Sequence, residues 1–276
     1  AHRRSVAVMP LTPSHAVVAL AFRRTPLPAS AVAIGAMTPD LPLFLPFAPA
    51  YENTHSLIWL PLTTALAAAL WGLWRIAIAP AARDLSPAFL AQRYPLPRVI
   101  SPPGGLSGNA PSSRPFAFLC TVTALALGVL THLVWDGFTH RGGWAVEVIP
   151  SLQERFNGVP VYSLLQDGSS VVGLLIIAIW FAGLPAVALD TSARLRMRPL
   201  RLATVTAVVA VTAVSAFLAF RAGPTLWRTL FEFVTTWGLF VGIIALIAGL
   251  AWRVLSRLGG QSVQRDAALP GGYRAG

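Results

Sequence analysis

The chain has 276 residues, of which 55% are hydrophobic and only 11% charged, and its mean hydropathy is +0.65. A soluble domain carries roughly 25% charged residues, so 31 charged side chains cannot clothe this much apolar surface in water, whereas lipid accepts it directly. The net charge of +11 does not point to a nucleic-acid partner, because all 21 basic residues are arginine and most sit in short connectors between apolar runs, where such charges set membrane topology.

The N-terminal stretch AHRRSVAVMPLTPSH is broken by Pro10 and Pro13 and shows no cleavage site, so no removable signal peptide is expected; residues 1–8 read as a disordered extension ahead of Met9. A short helix is expected over His15 to Phe22. Pro28 to Phe47 is apolar but holds Asp40 and four prolines, which excludes one straight helix and predicts a re-entrant or interfacial segment. Irregular backbone at membrane depth survives only inside protein or beside a wet cavity.

Spanning the hydrocarbon takes about 20 mostly apolar residues. Five runs qualify: Ser56 to Ala79, Arg114 to Phe138, Tyr162 to Gly183, Leu200 to Phe220 and Phe231 to Leu255. The predicted architecture is therefore all-α, a polytopic membrane bundle over residues 9–258. Pro80 to Ser113, with its PPGGLSGNAPSS tail, reads as a flexible loop, and 259–276 as a disordered tail. Cys120 stands alone and predicts no disulfide. No repeat marks an inverted-repeat transporter.

Five crossings put Arg83, Arg93, Arg98, Arg194, Arg196, Arg198, Arg257, Arg265 and Arg274 on one side, and Arg3, Arg4, Arg23, Arg24, Arg141, Arg155, Arg221 and Arg228 on the other. The excess favours the first side as cytoplasmic.

Ionisable groups at membrane depth are costly and invite a functional reading. His132, Asp136 and His140 follow one another at four-residue spacing in THLVWDGFTH. Four residues turn a helix through about 400°, so the three side chains drift by only about 40° per step and share a face. Imidazole and carboxylate on one stripe suit zinc, with manganese or iron as alternatives. His55 in NTHS precedes the first span at the membrane face where the second span ends. Asp40 in MTPD and His15 in TPSH belong to the segment before it and can fold over that face, so four of the five histidines converge. Asp167, in LLQDGSS, begins the third span on the same face.

Structural readings compete with this one. Asp136 could pair with Arg141 or a helix-end donor, Asp40 could cap a helix starting at Leu41, and a single histidine near a helix end is often only interfacial. Most tryptophans, Trp135 and Trp144 among them, read as interfacial anchors. Gly142 and Gly143 would permit a sharp turn after His140.

In MPLTPSH, HLVWDGFTHRGGW and YSLLQDGS at Tyr162 to Ser169, the chain resembles the bacterial membrane proteins of the domain of unknown function 4184 family, over about residues 9–255. More distantly, the order His, PD, HS, HxxxD is similar to membrane-bound metal-dependent hydrolases and zinc-dependent phospholipase C-like proteins. That resemblance implies His15, Asp40, His55, His132 and Asp136 as ligands of one or two divalent ions, with His140 a further ligand or an acid/base.

The expected function is hydrolysis of a phospholipid, an isoprenoid phosphate or another amphiphilic ester through a metal-activated water, at the extracytoplasmic face of the bacterial inner membrane. His140 or Asp167 would move the proton, and Arg141 would pair with a phosphate. The expected partners are membrane lipid and an amphiphilic small-molecule substrate. Two other classes remain: a metal carrier, lipid-binding partner or scaffold, and an isoprenoid cyclase using Asp136 as its proton donor.

Overall fold

The structure, a computed structural model, describes residues 12–94, 114–222 and 225–268. The expected disordered extension at 1–8 lies outside them, as do 95–113 of the connector and the last residues, 269–276. The described residues are 82% helical, and among them five helices are long and apolar enough to cross a membrane: Leu57–Leu85, Arg114–Val148, Val161–Ala182, Arg198–Ala222 and Arg228–Leu258. These are the spans the sequence predicts. The principal continuous helices are α1 (Ala29–Met37), α2 (Leu60–Leu73), α3 (Arg114–Thr139), α4 (Val161–Ala182), α5 (Arg198–Ala222) and α6 (Leu226–Ala268). The last of these runs past Gly259, where the sequence suggests a disordered tail.

The N-terminal segment is a re-entrant hairpin. A 3-10 helix, Thr12–Phe22, descends through the protein, the chain turns around Pro26 and Pro28, and α1 returns. Pro39 ends α1 by starting the short 3-10 turn Thr38–Asp40. This hairpin is buried between spans, with Ala31, Val32 and Ala36 fully shielded.

Small residues make that burial possible. A Cβ on Gly35 would lie 2.3 Å from the Leu125 carbonyl oxygen, and one on Gly128 would lie 2.3 Å from that of Val32, so α1 and α3 touch backbone to backbone as membrane helices do at small-residue interfaces. Only such an approach brings Ala36, at the end of α1, onto the face of α3 that carries His132.

One expectation needs correcting. Arg23, at the tip of the hairpin, lies over the Trp180 ring at 5.7 Å, in the last turn of α4. That is 14 residues, about 21 Å of helix, from Gln166 near the start of α4. Arg23 and its neighbour Arg24 thus belong to the end of the bundle that carries Arg83 and Arg194, not to the face of His55. Counting only the five spans placed the whole N-terminal segment on one side and gave the 3-10 helix no depth.

α5 and α6 form an antiparallel pair, tied by Trp237 Nε1 donating to Thr212 Oγ1 at 2.9 Å. The pair docks on the rest at two levels: Phe44 packs on Gly238, and Gly249 on the Ala77 carbonyl. Beyond α3, Gly142 adopts φ +78°, the sharp turn expected after His140, and leads to a hairpin of Arg155–Phe156 with Val159–Pro160. Asn157 and Gly158, at φ 50° and 81°, close it with the Asn-Gly turn that such tight hairpins favour.

Candidate metal centre

Four stretches of chain deliver the polar side chains to one point. α3 is 26 residues long, about 39 Å, and exceeds the hydrocarbon thickness, so its last turns hold His132, Asp136 and His140 near the membrane surface. Asp40 comes from the 3-10 turn after α1. His55 follows the short helix Tyr51–Thr54, just ahead of the first span, and His15 lies in the first turn of the N-terminal 3-10 helix.

Four atoms converge, with five short separations among them. His55 Nε2 lies 3.2 Å from His132 Nε2, and 3.5 Å from both Asp40 Oδ1 and Asp136 Oδ2. His132 Nε2 lies 3.7 Å from Asp40 Oδ1 and 3.2 Å from Asp136 Oδ2. Ligands held about 2.1 Å from a central ion at tetrahedral angles are themselves separated by roughly 3.4 Å, and these five distances lie close to that value. The site is buried: His132 is 0% and Asp40 1% exposed.

The tautomers agree with that geometry. His132 Nδ1 donates to the Ala36 carbonyl at 2.7 Å, and His55 Nδ1 donates to that of Tyr51 at 2.9 Å. Each ring therefore turns an Nε2 lone pair inward, the arrangement by which second-shell acceptors orient metal-binding histidines. Thr12 Oγ1 donates to Asp40 Oδ2 at 2.7 Å, leaving Oδ1 to face the centre. Thr54 Oγ1 donates to the Pro39 carbonyl at 2.7 Å and pins the His55 turn to the Asp40 turn. Asp40 does not cap the helix starting at Leu41, since its side chain makes no cap hydrogen bond.

Asp136 has a second face. Its Oδ1 lies 3.9 Å from His15 Nε2 and 3.5 Å from His140 Nδ1, and the His15 ring stacks on His132 with centroids 4.0 Å apart. Both Asp136 oxygens and His15 Nε2 are buried without a hydrogen-bond partner. A buried unsatisfied polar atom costs about 1–3 kcal/mol, more for a charged group. Asp136 makes no ion pair with Arg141 among the described residues, which removes that structural reading.

Electrostatics carry the same tension. Burial alone would push the His55 imidazole down, but the Asp136 and Asp40 carboxylates outweigh it and raise it to about 9. Burial and the neighbouring His132 push His15 down to about 4. For Asp40, burial opposes ionisation, yet His132, His55 and the Thr12 hydroxyl hold the carboxyl below its ordinary value. A proton on His55 supplies part of the missing positive charge. One proton, however, can bridge only two of the four convergent atoms, and it leaves Asp136 Oδ1 and His15 Nε2 without donors. The donor set and its spacing fit a divalent cation.

His15, Asp40, His55, His132 and Asp136 are thus brought together, with His140 beside them. Asp167 is not: among the described residues it makes no hydrogen bond or ion pair. Its neighbour Gln166, buried in α4, reaches in instead and places its amide nitrogen 2.9 Å from His140 Nε2. If that N–H donates, the His140 ring proton lies on Nδ1, facing Asp136. Sequence reasoning passed over Gln166, although an uncharged amide one residue from Asp167 in an apolar span was the available signal. Arg141 is exposed and lines a cavity of about 470 Å³ together with Glu147, Gln153, Arg155 and Tyr162, just beyond His140.

The chain matches the family model described as domain of unknown function (DUF4184) over residues 9–255. Comparison with curated proteins and with solved structures finds no match. His15, Asp40, His55, His132, Asp136, His140 and Gln166 all fall inside the matched stretch, and the chain belongs to the DUF4184 family.

Proposed function

We propose that the protein is a membrane-embedded, metal-dependent hydrolase that cleaves an amphiphilic ester, with a phospholipid or isoprenoid phosphate as the favoured substrate class. The observation that carries the reading is the inward-facing set of His55 Nε2, His132 Nε2, Asp40 Oδ1 and Asp136 Oδ2, with edges of 3.2–3.7 Å and both Nδ1 atoms committed to backbone carbonyls. Zinc takes nitrogen and oxygen ligands at that spacing and would expand to five-coordinate to take a water, and six-coordinate manganese or iron are alternatives that would leave positions open. A divalent ion held there would lower the pKa of such a water and polarise a phosphoryl oxygen.

The chain's own groups do the rest. Asp136 Oδ1 and the Gln166 amide hold the His140 ring between them, so His140 can take up a proton at the edge of the site and return it to a leaving group. Arg141, on the rim of the neighbouring cavity, suits a substrate phosphate. Leu57 and Ile58, 66% and 88% exposed, flank His55 in sequence and suit acyl or isoprenoid chains approaching from lipid. We read this end of the bundle as extracytoplasmic in a bacterial inner membrane, because the opposite end carries the arginine excess, now including Arg23 and Arg24.

The test uses full-length protein in nanodiscs. It is incubated with phosphatidylglycerol, phosphatidylcholine and a long-chain isoprenyl phosphate, with phosphorus NMR reading release of a headgroup or of inorganic phosphate. Turnover of at least one lipid is expected, abolished by chelation and by His132→Ala, and restored in wild type by zinc. Wild type that carries metal yet converts none of the three would sink the proposal, as would turnover that survives full removal of metal.

A further inference from the structure

The end of the bundle away from the histidines holds a second site of a different chemistry. Where the first span closes on α6, a cavity of about 420 Å³ is lined by Arg75, Pro80, Trp252, Arg253, Ser256 and Arg257. Its walls contain three guanidinium groups and no carboxylate.

The fold assembles these residues at fixed positions. Arg75 lies in a π-helical turn, Trp74–Ile78, a local widening of the helix that often marks functional sites. Its guanidinium lies over the Trp71 ring at 5.2 Å. Arg253 and Arg257 are four residues apart on α6 and share a face with Ser256, a spacing at which like charges repel. Gly249 packs against the Ala77 carbonyl one turn earlier, drawing the two helices together, and Arg253 Nη1 donates to the Ile76 carbonyl. Neither Arg253 nor Arg257 forms an ion pair among the described residues. The adjacent Asp84 carboxylate is engaged, accepting from Trp252 Nε1 at 2.9 Å.

Depth selects the ligand. Arg253 and Arg257 belong to the last turns of the apolar span Arg228–Leu258, and Arg75 lies ten residues before the end of Leu57–Leu85. The cavity therefore opens at the hydrocarbon boundary, where an anion arrives attached to an acyl chain. We infer that Arg75, Arg253 and Arg257 bind the phosphate of an anionic phospholipid headgroup. Basic pockets between membrane helices are suited to this ligand, and bidentate guanidinium groups are the side chains that recognise phosphate best. The site stands apart from the metal centre and does not depend on the proposed hydrolysis.

Native mass spectrometry of the full chain, delipidated in detergent, measures binding of added phosphatidylglycerol and phosphatidylcholine, with inorganic phosphate as competitor. Wild type is expected to prefer phosphatidylglycerol at least tenfold. Each arginine near a membrane surface is worth about a fivefold change in affinity for anionic lipid. Arg257→Gln, which removes no described hydrogen bond, should weaken phosphatidylglycerol binding about fivefold, and Arg253→Gln combined with it about 25-fold, with phosphatidylcholine binding unchanged. Arg228→Gln, at the other end of the bundle, should behave as wild type. Equal affinity for the two lipids, or Arg257→Gln binding phosphatidylglycerol like wild type, would overturn the inference. Displacement of lipid by inorganic phosphate at matching concentration would assign the site to soluble phosphate and overturn the lipid assignment.

Discussion

At one end of the bundle, two imidazole nitrogens and two carboxylate oxygens face each other across 3.2–3.7 Å, buried and short of donors. At the other, arginines with donors in excess spread them over helix-end carbonyls. Arg194 donates to the carbonyls of Arg83 at 2.7 Å and Ser86 at 2.9 Å, Arg83 to that of Ala188 at 2.8 Å, and Arg93 to that of Ala182 at 3.2 Å. The last carbonyls of a helix have no partner within it and carry the negative end of its dipole. Arg83, Arg93 and Arg194, apart from the arginines of the cavity beside α6, are therefore satisfied by the fold itself, whereas the acceptors at the histidine end need a centre that side chains alone do not provide.

That contrast can be broken most severely at Asp136, which faces both groups of histidines. Asp136→Ala should lower metal content from about one or two equivalents to background, measured by inductively coupled plasma mass spectrometry on purified protein. It should also abolish any rise in melting temperature on adding zinc, because only binding to the native state stabilises. A variant that keeps its metal would show that this histidine and carboxylate cluster is not the site.

The pH dependence sharpens the same comparison. His55 is raised from 6.5 to about 9 in the metal-free protein, and an imidazole must lose its proton to ligate. Zinc binding at pH 7 should therefore expel a proton, with affinity rising by up to tenfold per pH unit for that proton until about 9 and flattening beyond. Calorimetric titration in buffers of different ionisation enthalpy reads the proton directly. Because the folded value is raised, the stability that protonated His55 gives the metal-free protein is complete below about 6.5 and is lost as pH passes 9. The melting-temperature gap between loaded and metal-free protein should widen over that range. A gap that does not change with pH counts against His55 as a ligand.

A smaller loss is expected one shell out. Thr12→Val removes the 2.7 Å hydrogen bond to Asp40 Oδ2 and should weaken zinc about tenfold, as loss of an outer-shell partner commonly does, while stoichiometry at saturating zinc stays that of wild type. Unchanged affinity would mean that Asp40 is oriented by the backbone alone.

Much of the metal end was legible in the sequence for a geometric reason. Four-residue spacing in an unbroken apolar helix fixes His132, Asp136 and His140 on one stripe, and span counting brings His55 to the same face. The supporting shell was not legible in that way. The acceptors that set the two tautomers are the backbone carbonyls of Ala36 and Tyr51, which leave no mark in residue identity. Gln166 and Asp167 are neighbours in sequence but about 100° apart on a helix, so a one-residue uncertainty in register exchanges a buried partner of His140 for a side chain that does not meet it. Arg23 went to the wrong end because periodicity does not reveal that an 11-residue 3-10 helix, rising about 2 Å per residue, descends deep into the bundle.

The gentlest test falls on the arginine end. Arg194→Gln removes a guanidinium that donates to two carbonyls and leaves a shorter neutral amide that can reach at most one of them. A hydrogen bond from a charged donor is worth about 1.5–3 kcal/mol when buried, but this side chain is half-exposed and water replaces part of what is lost. The expected loss is therefore about 1 kcal/mol, a melting temperature lower by a few degrees, with zinc affinity and stoichiometry unaltered. A variant that also lost metal would show that the ends are energetically coupled, and the metal centre could then no longer be treated as a local property of α3 and the re-entrant hairpin.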